Sequence, residues 1–340
     1  MKKNLTPSWY SWLYIFIFFG ILMIPLRQLN FNPHQINSVF YKREELIALA
    51  ANFRLRLGDR VFPKVLVGEE GWLFYTGEKN MDDYQNIIPF SDEELASIAQ
   101  NLDALSAEYE EKGITLLVVI PPKKSSIYPE YMPEEITVLG SESRLDQLLT
   151  YLDENGKTSV MDLRSLLIEA RKEREVYYKT DTHWNEYGSY LAYREIAEKL
   201  AEIYPSIQPH SFTDYKITEK NIPLDLAQNI GATLFDEPKK ALQREEGYNT
   251  NFREIKTGGR KIMFSSTPNA NLPTAIIYFD SFFFPINPLL GEHFSQATYI
   301  QNYFGGGIWN LYWVKKNKPD IVIIEFSERY LHDLNHFIKK

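Results

Sequence analysis

The stretch Thr180-Asp181-Thr182-His183-Trp184-Asn185 sets a carboxylate two residues from an imidazole, and Asp280-Ser281 follows far downstream at the end of an apolar run. Carboxylate, imidazole and hydroxyl are the parts of nucleophilic acyl transfer. The imidazole takes the serine proton, and the carboxylate fixes its tautomer and stabilises the imidazolium. Meeting in space, Asp181, His183 and Ser281 would make a serine-dependent esterase or acyltransferase. Apart, they have ordinary roles: a structural histidine, and an Asp-Ser turn that ends a strand. The backbone amides after Ser281 are candidate oxyanion donors.

Other residues offer weaker signals. Lys123 and Lys124 end an apolar run and suit an acidic sugar, a developing negative charge, or a solvated pair. Asn310, near Gly305-Gly306-Gly307 and Trp309, is a candidate oxyanion donor or a loop residue. Trp184 and Trp72 are either packing residues or platforms for a sugar. One Asp-x-His gives a metal two ligands at best, and His34, His210, His293, His332 and His336 stand in no ligand-spaced cluster, so no metal site is expected. Acyl transfer of this kind calls for no cofactor.

These residues need a frame. Ser91-Asp92-Glu93-Glu94 is a capping box, and Leu95, Ile98, Leu102, Leu105 and Tyr109 recur at helical spacing until Gly113. Residues 114–120 read as a strand buried on both faces. Helices are expected near 143–155 and 163–174 with a short strand at 159–161 between them. Val176-Tyr177-Tyr178 reads as a further strand ending at Asp-x-His, before a long helix near 186–204. Over 206–272 the pattern dissolves into an expected insertion of irregular or β structure, and it resumes with strands at 274–279 and 320–326. Such alternation predicts a parallel α/β sheet covered by helices. Ligands of these sheets bind beyond the carboxyl ends of the strands, where Lys123-Lys124, Asp181 with His183, and Ser281 would converge.

At 340 residues the chain fits one large domain, and its net charge of −8 argues against a nucleic-acid partner. The absence of cysteine excludes disulfides, thiolate zinc sites and a cysteine nucleophile. No charge occurs from Asn4 to Leu26. Leu, Ile and Phe residues between Leu13 and Leu26 each favour membrane insertion by roughly 0.3–0.6 kcal/mol, so residues 1–27 are expected to be a transmembrane anchor. No small-x-small pattern follows Ile24, which favours a retained anchor over a cleaved signal peptide. Lys2 and Lys3 nearly balance Arg27, Lys42 and Arg43, and the short leading tail favours placing the globular part outside the cytoplasmic membrane. Residues 28–65 read as a lead-in with a helix near 44–57, and 66–340 as the main domain.

Several motifs stand in a recognisable order: Gly71-Trp72-Leu73-Phe74, Pro121-Pro122-Lys123, Ile127-Tyr128-Pro129-Glu130, Asp181-Thr182-His183-Trp184, Asp280-Ser281-Phe282, and Lys318-Pro319-Asp320-Ile321-Val322 leading to Glu328-Arg329-Tyr330. On these the chain after the anchor resembles the SGNH-hydrolase-like polysaccharide O-acetyltransferases, the group of the alginate acetylation proteins AlgJ and AlgX. The resemblance implies a three-layer α/β/α fold with a mainly parallel sheet. It also implies a Ser281–His183–Asp181 triad whose motif order is permuted relative to ordinary SGNH hydrolases. It further implies a polysaccharide acceptor and a membrane-bound O-acyltransferase that supplies acetyl groups. The sequence departs from the wider superfamily in two places: Phe279 stands where many relatives have glycine, and a Gly-x-Asn-Asp block is missing.

The leading expectation is a membrane-anchored polysaccharide O-acetyltransferase working through an acetyl-serine. A carbohydrate esterase would use the same triad with water as acceptor. A non-catalytic polysaccharide-binding subunit of an acetylation complex would need no nucleophile.

Overall fold

The computed structural model describes residues 9–26, 43–257, 260–301 and 312–337. Its strands, in chain order, are β1 (Val61–Phe62), β2 (Val65–Val67), β3 (Leu73–Tyr75), β4 (Thr115–Ile120), β5 (Val160–Asp162), β6 (Tyr215–Lys220), β7 (Lys239–Arg244), β8 (Asn251–Thr257), β9 (Arg260–Ser266), β10 (Thr274–Phe279), β11 (Gln296–Gln301) and β12 (Ile321–Glu325). The central sheet has seven strands in the order β5-β4-β12-β10-β11-β9-β8. Its β5, β4, β12, β10 and β11 run parallel. The hairpin β8–β9 adds to β11 antiparallel, so the sheet is mixed. β1–β3 and β6–β7 form small antiparallel sheets of their own.

Side chains alternate across a strand, and here the alternation divides the core in two. Val119, Ala275, Ile277, Phe279, Ile321 and Ile323 pack on one face with Leu167 and the helix Glu186–Ala201. Val118, Ile120, Ile276, Tyr278, Val322 and Ile324 pack on the other face with the helices Asp92–Glu110 and Arg144–Asn155. This is the three-layer α/β/α arrangement expected from the sequence. Both of the second face's helices begin at reciprocal caps. Ser91 accepts from Glu94 N while the Glu94 carboxylate accepts from Ser91 N, and Ser143 does the same with Asp146.

Two expectations change, and one strand was not expected. Val176–Tyr178 is not a strand of the sheet: Tyr177 makes one isolated bridge to Trp184, and the chain between them is a tight loop. The segment Gln296–Gln301 is a strand that its mixed polar and apolar sequence conceals. The expected insertion over 206–272 is partly built into the central sheet through β8 and β9. Toward the N-terminus, residues Trp9–Leu26 form an 18-residue uncharged helix, about 27 Å long at 1.5 Å per residue, where a hydrocarbon core measures roughly 30 Å. Among the described residues no helix is long and apolar enough to cross a membrane. The described chain divides into two compact units, Met1–Asp59 with Gly231–Thr233, and Arg60–Ile230 with Leu234–Lys340; the central sheet, Asp181, His183 and Ser281 belong to the second.

A buried polar knot fixes the helix Glu186–Ala201 to the chain after β10. His293 Nε2 lies 2.8 Å from the Tyr193 hydroxyl, whose oxygen accepts from His210 N at 2.9 Å. Tyr193 and His293 thus share one buried hydrogen bond. Burial pushes the His293 imidazole down to about 3, and the charges of His210 and Arg244 act in the same direction. A base whose folded pKa lies below its unfolded value costs no stability above the unfolded pKa and loses stability as pH falls from there toward the folded pKa. Stability should therefore decline between about pH 6.5 and pH 3 with a slope of up to about 1.4 kcal/mol per pH unit from this residue. Urea unfolding across that range should show the decline, and His293→Gln should flatten it; an unchanged slope in the variant contradicts the assignment.

Candidate active site

Parallel strands deliver the residues at their carboxyl ends to one edge of the sheet. Ser281 comes after β10, Arg329 after β12, and Lys123 and Lys124 after β4. Asp181 and His183 arrive differently, on the loop between Tyr177 and Trp184. That loop is seated by close packing: a Cβ on Gly188 would lie 2.1 Å from Val176 O, so only glycine lets the helix Glu186–Ala201 start against it. Asn185 caps this helix, its Oδ1 accepting from Tyr187 N and Gly188 N at 3.0 and 2.9 Å.

The loop folds back far enough for its carboxylate to reach its own histidine. Asp181 Oδ1 is 2.6 Å from His183 Nδ1 and accepts from the His183 backbone N at 3.0 Å. On the other side of the ring, His183 Nε2 is 2.8 Å from Ser281 Oγ. Asp181, His183 and Ser281 thus form one continuous hydrogen-bonded chain. Burial alone would raise the Asp181 carboxyl, but the hydrogen bond and charge of His183 outweigh it and hold the group well below the ordinary carboxylate range. Ser281 opens a 3₁₀ turn capped by Asp280, whose Oδ1 accepts from Phe282 N at 2.8 Å and whose Oδ2 accepts from Ser327 N at 3.0 Å. The Asp280 carboxylate so ties the end of β10 to the chain after β12. Beneath it, Glu325 accepts from Asp280 N at 2.7 Å. Complete burial and the neighbouring Asp280 charge push the Glu325 carboxyl well up.

The remaining expected site residues have other places. Lys123 is buried and paired with Asp83 and with Glu328, the latter at 3.6 Å, so its charge is spent inside the fold rather than on a ligand. Trp184 is 2% exposed. Its indole donates to Phe282 O at 3.0 Å and meets the Phe282 ring edge-on, bracing the turn that carries Ser281 instead of presenting a face to a sugar. Trp72 is buried against Tyr128 and Tyr131. Asn310 and the glycines before it lie outside the described residues. Of the amides offered as oxyanion donors, Phe282 N is bonded to Asp280 Oδ1 and Phe283 N to Asp280 O at 3.3 Å.

Two neighbours were not foreseen. Asp225 Oδ2 lies 3.8 Å from His183 Nδ1, and its Oδ1 accepts from Thr182 N at 2.7 Å. Burial and then the Asp181 charge raise the Asp225 carboxyl. Asp181, His183 and Asp225 are a cluster of potential metal ligands with donor atoms within 4.8 Å of one another. Two ligand atoms on one tetrahedral zinc, each about 2.0–2.2 Å from it, stand more than about 3 Å apart. The 2.6 Å separation of Asp181 Oδ1 and His183 Nδ1 is that of a shared proton instead. The second neighbour is Arg329, whose Nη2 donates to Ser281 Oγ at 3.2 Å. Neither was marked by local spacing; Arg329 stood only within the Glu328-Arg329-Tyr330 motif.

Lys124 has the most consequential structural role. Its ammonium donates to the carbonyls of Tyr178, Lys179 and Asp181 at 3.0, 2.9 and 2.6 Å. Full burial pushes its pKa down to about 8, against the charges of Asp181, Asp225 and Glu237. Replacing it with methionine leaves the Tyr178 and Asp181 carbonyls without their donor, while the Lys179 carbonyl keeps the Leu73 amide at 2.9 Å, at about 1–3 kcal/mol for each buried group left unpaired. Lys124→Met should therefore lower stability in urea unfolding by several kcal/mol; a loss below about 1 kcal/mol would show that water replaces the ammonium at little cost.

Comparison with known proteins agrees with this architecture. The family described as "SGNH hydrolase-like domain, acetyltransferase AlgX" matches residues 65–269, more than half of the chain; the matched segment contains Asp181 and His183 and ends before Ser281. A "Probable alginate O-acetylase AlgJ" of Pseudomonas syringae pv. tomato is 26% identical, the alignment covering 96% of this chain and 90% of the relative. Among solved structures, Bacillus cereus PatB1 is similar with a TM-score of 0.58 at 17% identity, covering 80% of this chain and 99% of PatB1. The O-acetyltransferase domain of Pseudomonas putida AlgJ is similar with a TM-score of 0.51 at 19% identity, covering 79% and 92%. These two likenesses concern the fold. On the extent of the family match, the chain belongs to the family of the AlgX SGNH hydrolase-like acetyltransferase domain.

Proposed function

We propose that the protein is an O-acetyltransferase that moves acetyl groups onto hydroxyls of an exopolysaccharide or cell-wall polysaccharide through an acetyl-Ser281 intermediate. The observation that carries this reading is the unbroken Ser281–His183–Asp181 chain at the carboxyl edge of an SGNH-like sheet. Beside it lies a cavity of about 400 Å³ bordered by His183, Ser281, Lys239, Lys240, Phe284 and Pro288. That volume is ordinary for a ligand site, and the two lysines suit a sugar that bears a carboxylate. The relatives named for alginate acetylation support a polysaccharide acceptor.

In this reading His183 Nε2 takes the Ser281 proton as Oγ attacks the acetyl carbonyl, and Asp181 stabilises the imidazolium that forms. A sugar hydroxyl then gives its proton to His183 and attacks the acetyl-enzyme. The uncharged segment Asn4–Leu26 serves as membrane anchor and holds the domain on the extracytoplasmic side. There a membrane-bound O-acyltransferase supplies the acetyl group.

The test is acetyl transfer by the detergent-solubilised full chain from 4-nitrophenyl acetate, read by intact mass and by acetyl appearing on an oligosaccharide. The wild type should carry one acetyl group on Ser281 and pass it to sugar. Ser281→Ala should carry none, and Asp181→Asn should lose roughly 10⁴-fold in kcat. Acetyl passed equally fast to water with and without sugar would make the protein a carbohydrate esterase. Sugar binding by well-folded protein without any acyl-enzyme would make it a binding subunit.

A further inference from the structure

Arg329 stands after β12 as Ser281 stands after β10, and the parallel pairing of these strands brings the two residues together. The Arg329 side chain is 12% exposed. Its Nη2 donates to Ser281 Oγ at 3.2 Å and to the Tyr330 hydroxyl at 2.9 Å. The guanidinium lies 4.6 Å from the centre of the Tyr330 ring, with Phe282 and Tyr75 at 5.8 and 5.7 Å. Glu78 approaches Nε only to 3.8 Å, and Nε has no hydrogen-bond partner among the described residues. Arg329 is a largely buried cation held charged by the nearby Asp280 and Glu78 carboxylates, with its Nη2 turned to the nucleophile.

We propose that Arg329 is a further catalytic residue, which aims the Ser281 proton at His183 and then binds the oxyanion of the tetrahedral intermediate. The inference rests on the acetyl-Ser281 reading. Its first half comes from donor arithmetic. A guanidinium has five N–H groups and no acceptor, so Ser281 Oγ must accept from it. A hydroxyl oxygen can accept twice, so the other side sets the remaining direction: the Asp181 carboxylate only accepts, Nδ1 of a neutral His183 therefore holds the ring proton, and the Ser281 proton goes to Nε2, 2.8 Å away. Nε2 is therefore the acceptor nitrogen, and Nδ1 carries the proton that Asp181 receives.

The second half comes from the donors that are already engaged. The Phe282 and Phe283 amides are bonded to Asp280. Arg329 is the cationic donor already in contact with the attacking oxygen. In the first half-reaction Oγ bonds the carbonyl carbon of an acetyl ester while its proton moves to His183 Nε2. The carbonyl electron pair moves onto oxygen, and Arg329 donates to that oxyanion. Collapse restores the carbonyl and breaks the bond to the leaving alkoxide, which takes the proton from His183. In the second half-reaction a sugar hydroxyl attacks, its proton goes to His183, the same oxyanion forms, and Ser281 leaves and recovers a proton. Electrostatic donors of this kind act most strongly where water is excluded.

The experiment measures the pre-steady-state acylation burst of the full chain with 4-nitrophenyl acetate for the wild type, Arg329→Gln, Arg329→Lys and Ser281→Ala, each with its thermal midpoint. Arg329→Gln should acylate about 10²–10³-fold more slowly with little change in KM, as for loss of an oxyanion donor. Arg329→Lys keeps the charge and loses the fork, and should fold while acylating at least about tenfold more slowly. It decides the matter if the glutamine variant does not fold. A wild-type acylation rate in either folded variant overturns the proposal while leaving acetyl-Ser281 intact. A wild-type protein that forms no Ser281-dependent adduct overturns both the proposal and the reading beneath it.

Discussion

A loop that is buried but has no place in a sheet must find its hydrogen bonds elsewhere, because an unpaired buried carbonyl costs as much as a lost hydrogen bond. The Asp181–His183 loop is such a segment, and Lys124 meets the need by donating to the carbonyls of Tyr178, Lys179 and Asp181. The same loop gives its Lys179 and Thr180 amides to the Glu237 carboxylate and its Thr182 amide to Asp225. The Thr180 carbonyl takes bonds from Leu226 N and Ala227 N at the start of the helix Asp225–Ile230. These anchors come from separate stretches of sequence and fix one loop, and only with that loop fixed do Asp181 and His183 meet.

The serine side is built by the opposite device, a carboxylate that collects amides. Asp280 accepts from Phe282 N and Ser327 N and so joins the ends of β10 and β12, which carry Ser281 and Arg329. Burial and the Asp280 charge push the Glu325 carboxyl beneath it toward its neutral form, which lessens the repulsion that a second buried anion would bring. The two halves meet at one hydroxyl. Arg329 donates to it, and it faces His183, whose other nitrogen faces Asp181. Because arginine cannot accept and the buried Asp181 carboxylate cannot donate, the direction of every proton between them is determined by chemistry rather than by adjustment.

Legibility in the sequence obeys the same physics. Helices with local signatures were legible: the caps at Ser91 and Ser143 and the apolar spacing from Leu95 to Tyr109 are interactions between near neighbours in the chain. The buried strands Thr115–Ile120, Thr274–Phe279 and Ile321–Glu325 announced themselves as apolar runs. Gln296–Gln301 did not, because Gln296 and Thr298 interrupt the run. Val176–Tyr178 misled in the other direction, since it is apolar because it is buried and not because it is paired in a sheet. Asp181, His183 and Ser281 stood out by residue type and placement. The roles of Lys123, Lys124, Asp225 and Arg329 depend on contacts between distant parts of the chain, which no local pattern records.

The proposed acetyl transfer requires one direction: the Ser281 proton goes to Nε2 of a His183 whose Nδ1–H is held by Asp181. Nitrogen-15 NMR of histidine-labelled protein at alkaline pH reads that direction, with His183→Gln identifying the resonances. Nδ1 should be protonated with a strongly downfield proton and Nε2 unprotonated, and the downfield proton should be lost in Asp181→Asn. An Nε2–H tautomer in the wild type would contradict that direction.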